Sequence, residues 1–440
     1  LDPTKLAAAF QDGEEFEDAK DMLSSVGVVH IDGNGVGAIM RDLGDAHRHA
    51  KEAGVCTTAT EVKTMPDDDL QSFIMTVNKH LDNVVKDAIA LSWHEIQELT
   101  PKTTVPIVPV LVGGDDVTVY TDGRYAIPFA EAYIRHYEEL TEKDELLKQL
   151  AVVAGAKTAG PLTASAGVAI VGRNFPFHIA YDLAEELVSR GKKLGKKPGT
   201  VPCSTINFHV LRDATVLDPE DTLDEYKGRS QRPFLVGCYA PDRIGDATTV
   251  AAFDGKKPDD PTQTTGDPFP RARANRIVKL LADYVKVPKD DKARSKCLGY
   301  VLKGNEEAFA TQEQIDNGKQ KPDDGKQKPD DGKQKPDDEK TTKRCNHPIC
   351  RIRLEWTDAQ ETARGTKTLV KALGPLPSKT RLDDPDEHTE DCIEQVRWLL
   401  DLIDLSGNLP DRYLASRISD DTDCVGSQEA ADGSTEGDAK

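Results

Sequence analysis

Two short acidic segments carry residue types that can do chemistry. In one, Val112-Gly113-Gly114-Asp115-Asp116-Val117 sets two glycines ahead of two adjacent aspartates. Carboxylates are hard oxygen ligands of the kind that Mg²⁺ takes when it handles phosphates. In the other, the apolar run SVGVVHID (25–32) ends on Asp32 and passes into GNGVG (33–37). An aspartate at the end of a buried strand, beside flexible backbone, suits a metal ion and a triphosphate. Acidic Gly-Asp turns are also ordinary hairpin chemistry, so the first motif alone leaves a plain structural turn open. The GxGxG spacing departs from the dinucleotide fingerprint, because its third glycine comes one residue early and an aspartate precedes its first. Taken together, two carboxylate sites about 80 residues apart, each at a strand end, fit a two-metal phosphoryl-transfer site better.

These residues need elements to position them. VPIVPVLV (105–112) and VTVY (117–120) flank the glycine-aspartate pair, which predicts strand, tight turn, strand. A charged helical patch follows Asp32 at 38–53. A longer helix at about 67–98 carries Leu70, Phe73, Ile74, Val77, Leu81, Val84 and Val85 at helical spacing. A helix at about 126–149, a strand at 163–171, a helix at 177–194 and a strand at 203–211 complete the order β-α-α-β-β-α-β-α-β. Nucleotide-polymerising palms share that order with many non-catalytic ferredoxin-like folds.

Five blocks in sequence, VVHIDGNGVG, PVLVGGDDVTVY, LTASAGVAIV (162–171), AYDLAEELVSRGKKLGK (180–196) and STINFHVL (204–211), resemble one catalytic palm. The resemblance is to the palm of the large subunit of type III CRISPR effector complexes, the Cmr/Csm polymerase–cyclase family, a relative of the GGDEF diguanylate cyclases. It covers roughly residues 24–212. It implies a palm that binds two nucleoside triphosphates and two divalent ions, Mg²⁺ or Mn²⁺. The implied reaction is attack of a 3′-hydroxyl on an α-phosphate of ATP or another NTP, giving a cyclic oligonucleotide, typically an oligoadenylate. Asp32, Asp115 and Asp116 match the family's metal aspartates, and Lys192 matches a lysine that contacts the triphosphate. Gly33, Asn34, Gly35, Gly113 and Gly114 are the accompanying nucleotide-binding candidates. Gly191 departs from the pattern, where alanine is more usual. No HD nuclease signature is visible, and about two dozen residues before the first palm strand leave no room for a second palm. The chain is therefore expected to be either a stand-alone relative or a fragment. The implied partners are nucleotides, guide or target RNA, other effector subunits, or a second copy of the chain. A catalytically silent nucleotide-binding scaffold is an alternative reading, and a diguanylate cyclase another, against which stands a turn reading GGDD instead of GGDEF.

The charged cluster Arg190, Lys192, Lys193, Lys196 and Lys197 closes the helix at 177–194. Its bland reading is a solvated cationic helix end, and only Lys192 is singled out for phosphate contact.

Composition bounds the rest. With 440 residues, 37% of them hydrophobic, the chain can hold two to three domains. A formal charge of −20 argues against broad electrostatic capture of nucleic acid but leaves room for a local basic groove. No stretch is long and apolar enough to span a bilayer and no secretory leader is visible, so a cytoplasmic location without a membrane partner is expected. The 8 cysteines are irregularly spaced and read as reduced thiols. Cys345 and Cys350, with His388 and Cys392, form the one combination suited to tetrahedral zinc. Its C-x₄-C gap is loose and its halves are distant, so zinc is not expected.

The overall expectation is an α+β protein: a ferredoxin-like nucleotide-cyclase/polymerase palm followed by a mainly helical C-terminal region with a disordered linker. The expected segments are a helical lead-in (1–23), the GGDD palm (24–212), a loop-rich and helical region (213–315), a linker built on three copies of GKQKPDD (316–343), a small helical unit (344–418) and an acidic disordered tail (419–440). Within the third segment, Arg271, Arg273, Arg276 and Lys279 read mainly as the solvated face of a helix.

Overall fold

The run Ser25–Gly33 is apolar with almost no alternation, the pattern of a strand covered on both faces. It forms the interior of a six-stranded sheet. The computed structural model describes residues 25–55, 70–99, 105–196, 202–211, 218–226, 228–237, 247–257, 260–264, 266–283, 300–302, 343–345, 351–352, 354–356, 359 and 398–417. The expected lead-in, the acidic tail from 419 and nearly all of the repeat linker lie outside the described residues. So do Cys350, His388 and Cys392; of Cys345 only the backbone is described, in a short strand (Lys343–Cys345).

From the N-terminus the elements are β1 (Ser25–Gly33), α1 (Val36–Arg41), α2 (Leu43–Glu52), α3 (Leu70–Glu98), β2 (Ile107–Gly113), β3 (Asp116–Asp122), α4 (Gly123–Lys143), α5 (Glu145–Leu150), β4 (Ala164–Gly172), α6 (Phe177–Gly195) and β5 (Ser204–Val210). The short α7 (Pro219–Glu225), β6 (Phe234–Val236) and α8 (Ala247–Phe253) follow. The sheet order is β2-β3-β1-β4-β5-β6. Its first four strands, with α3 and α4 as crossovers, have the ferredoxin-like βαββαβ layout. β5 then extends the sheet parallel to β4 through α6. The architecture is therefore mixed α+β, as the sequence implies.

Helices cover both faces. α3 buries Phe73, Val77, Leu81, Val84, Val85, Ala88 and Ile96 along one stripe and packs on α4. α4 lies against β1, while α6 covers the opposite face of β1, β4 and β5. Gly167 lets α6 approach: a Cβ there would stand 2.1 Å from the carbonyl oxygen of Ala184, so no larger residue fits without moving the helix. Val26 and Val28 pack with Ala169, Val171, Ala180, Leu183, Ala184 and Leu187 beneath α6.

Local chemistry adjusts the expected boundaries. The patch at 38–53 is two helices, broken at Asp42. The helix expected from 126 starts at Gly123, because Asp122 accepts a hydrogen bond from the N–H of Arg124 at 2.9 Å. It stops at Asp144, whose carboxylate caps α5 through the N–H of Leu147 at 3.0 Å.

The chain divides into two units, Leu1–Pro268 with Asp401–Lys440, and Phe269–Leu400. Within the first, residues 401–417 are pinned to the sheet. Arg232, just ahead of β6, lies under the Phe208 ring, 4.4 Å from its centroid. It donates to Asp401 at 2.6 Å, to Asp404 at 2.8 Å and to the carbonyl of Phe208 at 2.6 Å. Tyr413 and Glu131, and Lys256 and Asp411, add further pairs. In the second unit, α9 (Arg271–Asp283) buries Ile277 and Leu281. Arg271, Arg276 and Lys279 are exposed, as a solvated face requires, and Arg273 is half-buried; Arg273 and Arg276 also donate to the buried carboxylate of Glu355 at 2.8–3.0 Å. Among the described residues no helix is long and apolar enough to cross a membrane.

The Arg232 clamp generates a test. Asp401→Ala leaves a buried guanidinium short of a charge partner, and removing one member of such a set costs about 3 kcal/mol or more. Chemical denaturation is expected to show that loss, whereas Asp411→Ala, on a partly exposed pair, is expected to cost under about 1 kcal/mol.

Candidate active site

Strand pairing builds the acidic cluster. β1 and β3 run antiparallel with Asp32 directly opposite Asp116, so both Cα–Cβ bonds leave the same face of the sheet. The β2–β3 turn passes through Gly114, in the left-handed region at φ 61°, and delivers Asp115 beside them. One ligand oxygen from each of Asp32, Asp115 and Asp116 can lie within 4.8 Å of the others. Gly33 makes room for this: a Cβ on it would stand 2.8 Å from the Cβ of Asp115, closer than two carbons can sit.

Three carboxylates at this range repel one another. Burial pushes the Asp115 carboxyl up to about 6, and the charges of Asp32 and Asp116 push the same way. Its own backbone hydrogen bond and Lys192 pull back. Asp116 is likewise raised, by burial first and then by Asp32. Such a cluster calls for cationic partners. One is present: the Nζ of Lys192, on α6, forms an ion pair with Asp32. A single ammonium leaves the three acidic groups under-neutralised, and an all-oxygen donor set suits Mg²⁺ or Mn²⁺ far better than zinc.

The other expected site residues divide. Gly113 and Gly114 occupy the turn, with open space where a Cβ would be. Gly33 closes β1, and Gly35 stands at φ 86° as N-cap of α1, tight against Ala154. Asn34 does not reach the open site. Its side chain is 3% exposed and is spent inside the protein, donating to Thr163 Oγ1 at 3.1 Å and accepting from Ser165 Oγ at 3.1 Å. It locks the loop between β1 and α1.

Two neighbours of the cluster were not singled out from the sequence. His30 lies two residues before Asp32 on the same face, buried, and shares a 3.0 Å hydrogen bond with Thr118 Oγ1. Burial holds it below the ordinary histidine value although Asp116 and Asp32 pull upward. Lys196, one turn beyond Lys192, is lowered by burial around its stem and by Lys192, while Asp32 and Asp115 draw it the other way. Its i+4 spacing from Lys192 was the available signal. Of the remaining cations, Arg190 is committed to Glu186 and Asp224, each at 2.9 Å, and Lys197 lies outside the described residues. On α4, Tyr133 and Tyr137 stack at 5.9 Å, fully buried, and the charge of Asp115 acts on both phenols.

Residues 25–199 match the family described as Cas10/Cmr2, second palm domain. The match runs from β1 through α6 and spans all three aspartates and Lys192. No curated protein matches the chain. The family relation supports a nucleotide-cyclase-like palm of the type III CRISPR large subunit for this part of the chain.

The raised Asp115 value has a measurable sign. A carboxyl lifted from 3.8 to about 6 by folding destabilises the metal-free protein once it ionises. The penalty is absent below about pH 4 and complete above about pH 7. Asp115→Asn removes it. We expect this variant to be more stable than the parent chain by roughly 1–2 kcal/mol at pH 8, allowing for partial solvent screening, and equally stable near pH 4. Unfolding by urea in the presence of chelator measures both; an unchanged difference at the two pH values contradicts the assignment.

Proposed function

We propose that this chain is a metal-dependent nucleotidyltransferase that joins nucleoside triphosphates into a cyclic oligonucleotide, within a type III CRISPR-type antiviral complex. The observation that carries this reading is the convergence of Asp32, Asp115 and Asp116 from two paired strands and their turn, with Lys192 reaching in from a separate helix.

Phosphoryl transfer asks little covalent work of a protein; it asks for positioning and charge compensation. Asp32 and Asp116 are the ligands best placed for divalent cations because they share one sheet face, and Asp115 completes the set from the turn. When bound, such cations supply charge neutralisation at the α-phosphate and at the attacking and leaving oxygens. The chain's own residues do the rest. Lys192, freed from Asp32 once that carboxylate has another cation to bind, swings to the triphosphate, with Lys196 one turn further along. The backbone at Gly113 and Gly114, where a Cβ would meet nothing, leaves room beside the aspartates for phosphates to pass. A 3′-hydroxyl loses its proton to solvent, its oxygen bonds to the α-phosphorus, the α–β bridging P–O bond breaks, and pyrophosphate leaves. ATP is the favoured substrate through the family relation; guide or target RNA and effector subunits are its corresponding partners.

Incubating the purified chain with each labelled NTP and Mg²⁺ or Mn²⁺, with and without RNA, and separating the products tests the reading. Asp32→Ala and Asp116→Ala are each expected to lower the rate at least about a hundredfold. Lys192→Ala is expected to raise KM for the triphosphate roughly tenfold or more with a smaller change in kcat. Nucleotide bound with no product under any condition favours a silent scaffold instead.

A further inference from the structure

The acidic cluster stands in a groove whose two ends differ in chemistry. α6 returns the chain from β4 to the parallel β5, so it runs alongside β1 in the same direction. Phe177, Tyr181, Glu185, Lys192 and Lys196 fall within roughly 100° of one another around that helix, forming one stripe. The stripe faces the edge where α6 stops and the sheet continues: α6 covers β1, β4 and β5, while β3 and β2 extend beyond it. Tyr181 is fixed beside His30, ring centroids 5.3 Å apart, and Lys192 is fixed on Asp32. The order along the groove is thereby set. Aromatic rings come first, then the carboxylates, then the lysines.

The aromatic end is a connected run. Phe177 lies 6.3 Å from Tyr181, nearly parallel, and 6.0 Å from Tyr120. Tyr120 projects from the same face of β3 as Asp116, four residues further along the strand. Phe177 is 39% exposed, and Tyr120 and Tyr181 are half-buried, packed against the core beneath α6. The floor continues outward. Register sets Val108 opposite Tyr120 and Leu111 opposite Thr118, and these two aliphatic side chains are 41% and 45% exposed. The charges acting on Tyr181 are those of Glu185, Asp116 and Asp182, so this end offers no cation to a ligand. A net charge of −20 gives no general attraction for a nucleotide chain either. Flat uncharged rings are what such a surface can hold, and base–aromatic stacking is worth enough to hold them.

We propose that Tyr181, Phe177 and Tyr120 form the acceptor subsite of this palm: a stacking strip for the bases of a short oligonucleotide whose 3′-hydroxyl lies at the carboxylates. This rests on the nucleotidyltransferase reading and extends it. In an in-line displacement the attacking oxygen and the leaving pyrophosphate lie on opposite sides of the α-phosphorus. The groove matches that requirement, with the lysines on the pyrophosphate side and the rings on the acceptor side. α6 therefore holds both substrates from one rigid element.

The test needs no turnover. The full chain is loaded with Mn²⁺ and titrated with an adenine dinucleotide carrying 2-aminopurine and a free 3′-hydroxyl, whose fluorescence is quenched on stacking; binding of a non-hydrolysable ATP analogue is measured in parallel. Tyr181→Ala and Phe177→Ala are each expected to weaken dinucleotide binding roughly tenfold and to abolish most of the quench. ATP-analogue binding should change less than about twofold, and Tyr181→Phe should retain the quench. Lys192→Ala is expected to do the opposite, weakening the analogue and sparing the dinucleotide. Should the alanine variants bind the dinucleotide as the parent chain does, the strip is overturned while the donor site stands; an unchanged dinucleotide affinity with a protein captured on these same rings assigns the surface to a protein interface. If the parent chain with Mn²⁺ binds neither probe, the enzymatic reading falls and the subsite with it.

Discussion

Everything in the site depends on the register between β1 and β3. Their pairing sets Asp32 against Asp116 and, two steps back, His30 against Thr118. Because side chains alternate along a strand, a slip of one residue sends Asp32 to the α4 face and disperses the cluster. The core enforces the register. Val26 and Val28 are buried under α6 while Val29 and Ile31 are buried on the opposite face, so any slip that moved the aspartate would also unpack both layers. The acidic cluster is thus a by-product of hydrophobic packing, held in place against its own repulsion.

That repulsion decides how the neighbours behave. Burial and mutual charge lift Asp115 and Asp116, and the metal-free protein relieves part of the strain by drawing Lys192 onto Asp32. A divalent cation competes directly with that ammonium for the same carboxylate. On the proposed reading, metal entry and release of Lys192 toward a triphosphate are coupled by electrostatics. The same helix that carries Lys192 presents Phe177 and Tyr181 on the other side of the cluster.

Much of this was legible in the sequence, for local reasons. Asp32 and the Gly-Gly-Asp-Asp turn are short motifs whose meaning lies in adjacent residues, and the β-α-β periodicities follow from faces that are buried along their whole length. The strand order could be expected only because the blocks resembled a palm. What escaped depends on tertiary faces. Asn34 reads as a loop residue facing a ligand, yet it is turned inward by Thr163 and Ser165, about 130 residues away. His30 looks like one more position in an apolar strand until pairing puts it beside Asp116. Arg273 and Arg276 have the spacing of a solvated stripe, and nothing local announces Glu355. The Arg232–Asp401 clamp joins residues 169 positions apart and has no sequence signature at all. Nor does anything local announce that residues 401–417 group with the sheet.

The central claim, that three aspartates distant in sequence form one divalent-cation site, is tested most directly by a crystal structure of the full chain grown with Mn²⁺ and a non-hydrolysable ATP analogue, using the anomalous signal of manganese to place the ions. The account predicts Mn²⁺ within coordination distance of carboxylate oxygens of Asp32, Asp115 and Asp116, with the Lys192 ammonium moved from Asp32 to a phosphate oxygen. Manganese bound elsewhere, or Lys192 still paired with Asp32 beside an ordered nucleotide, would contradict it.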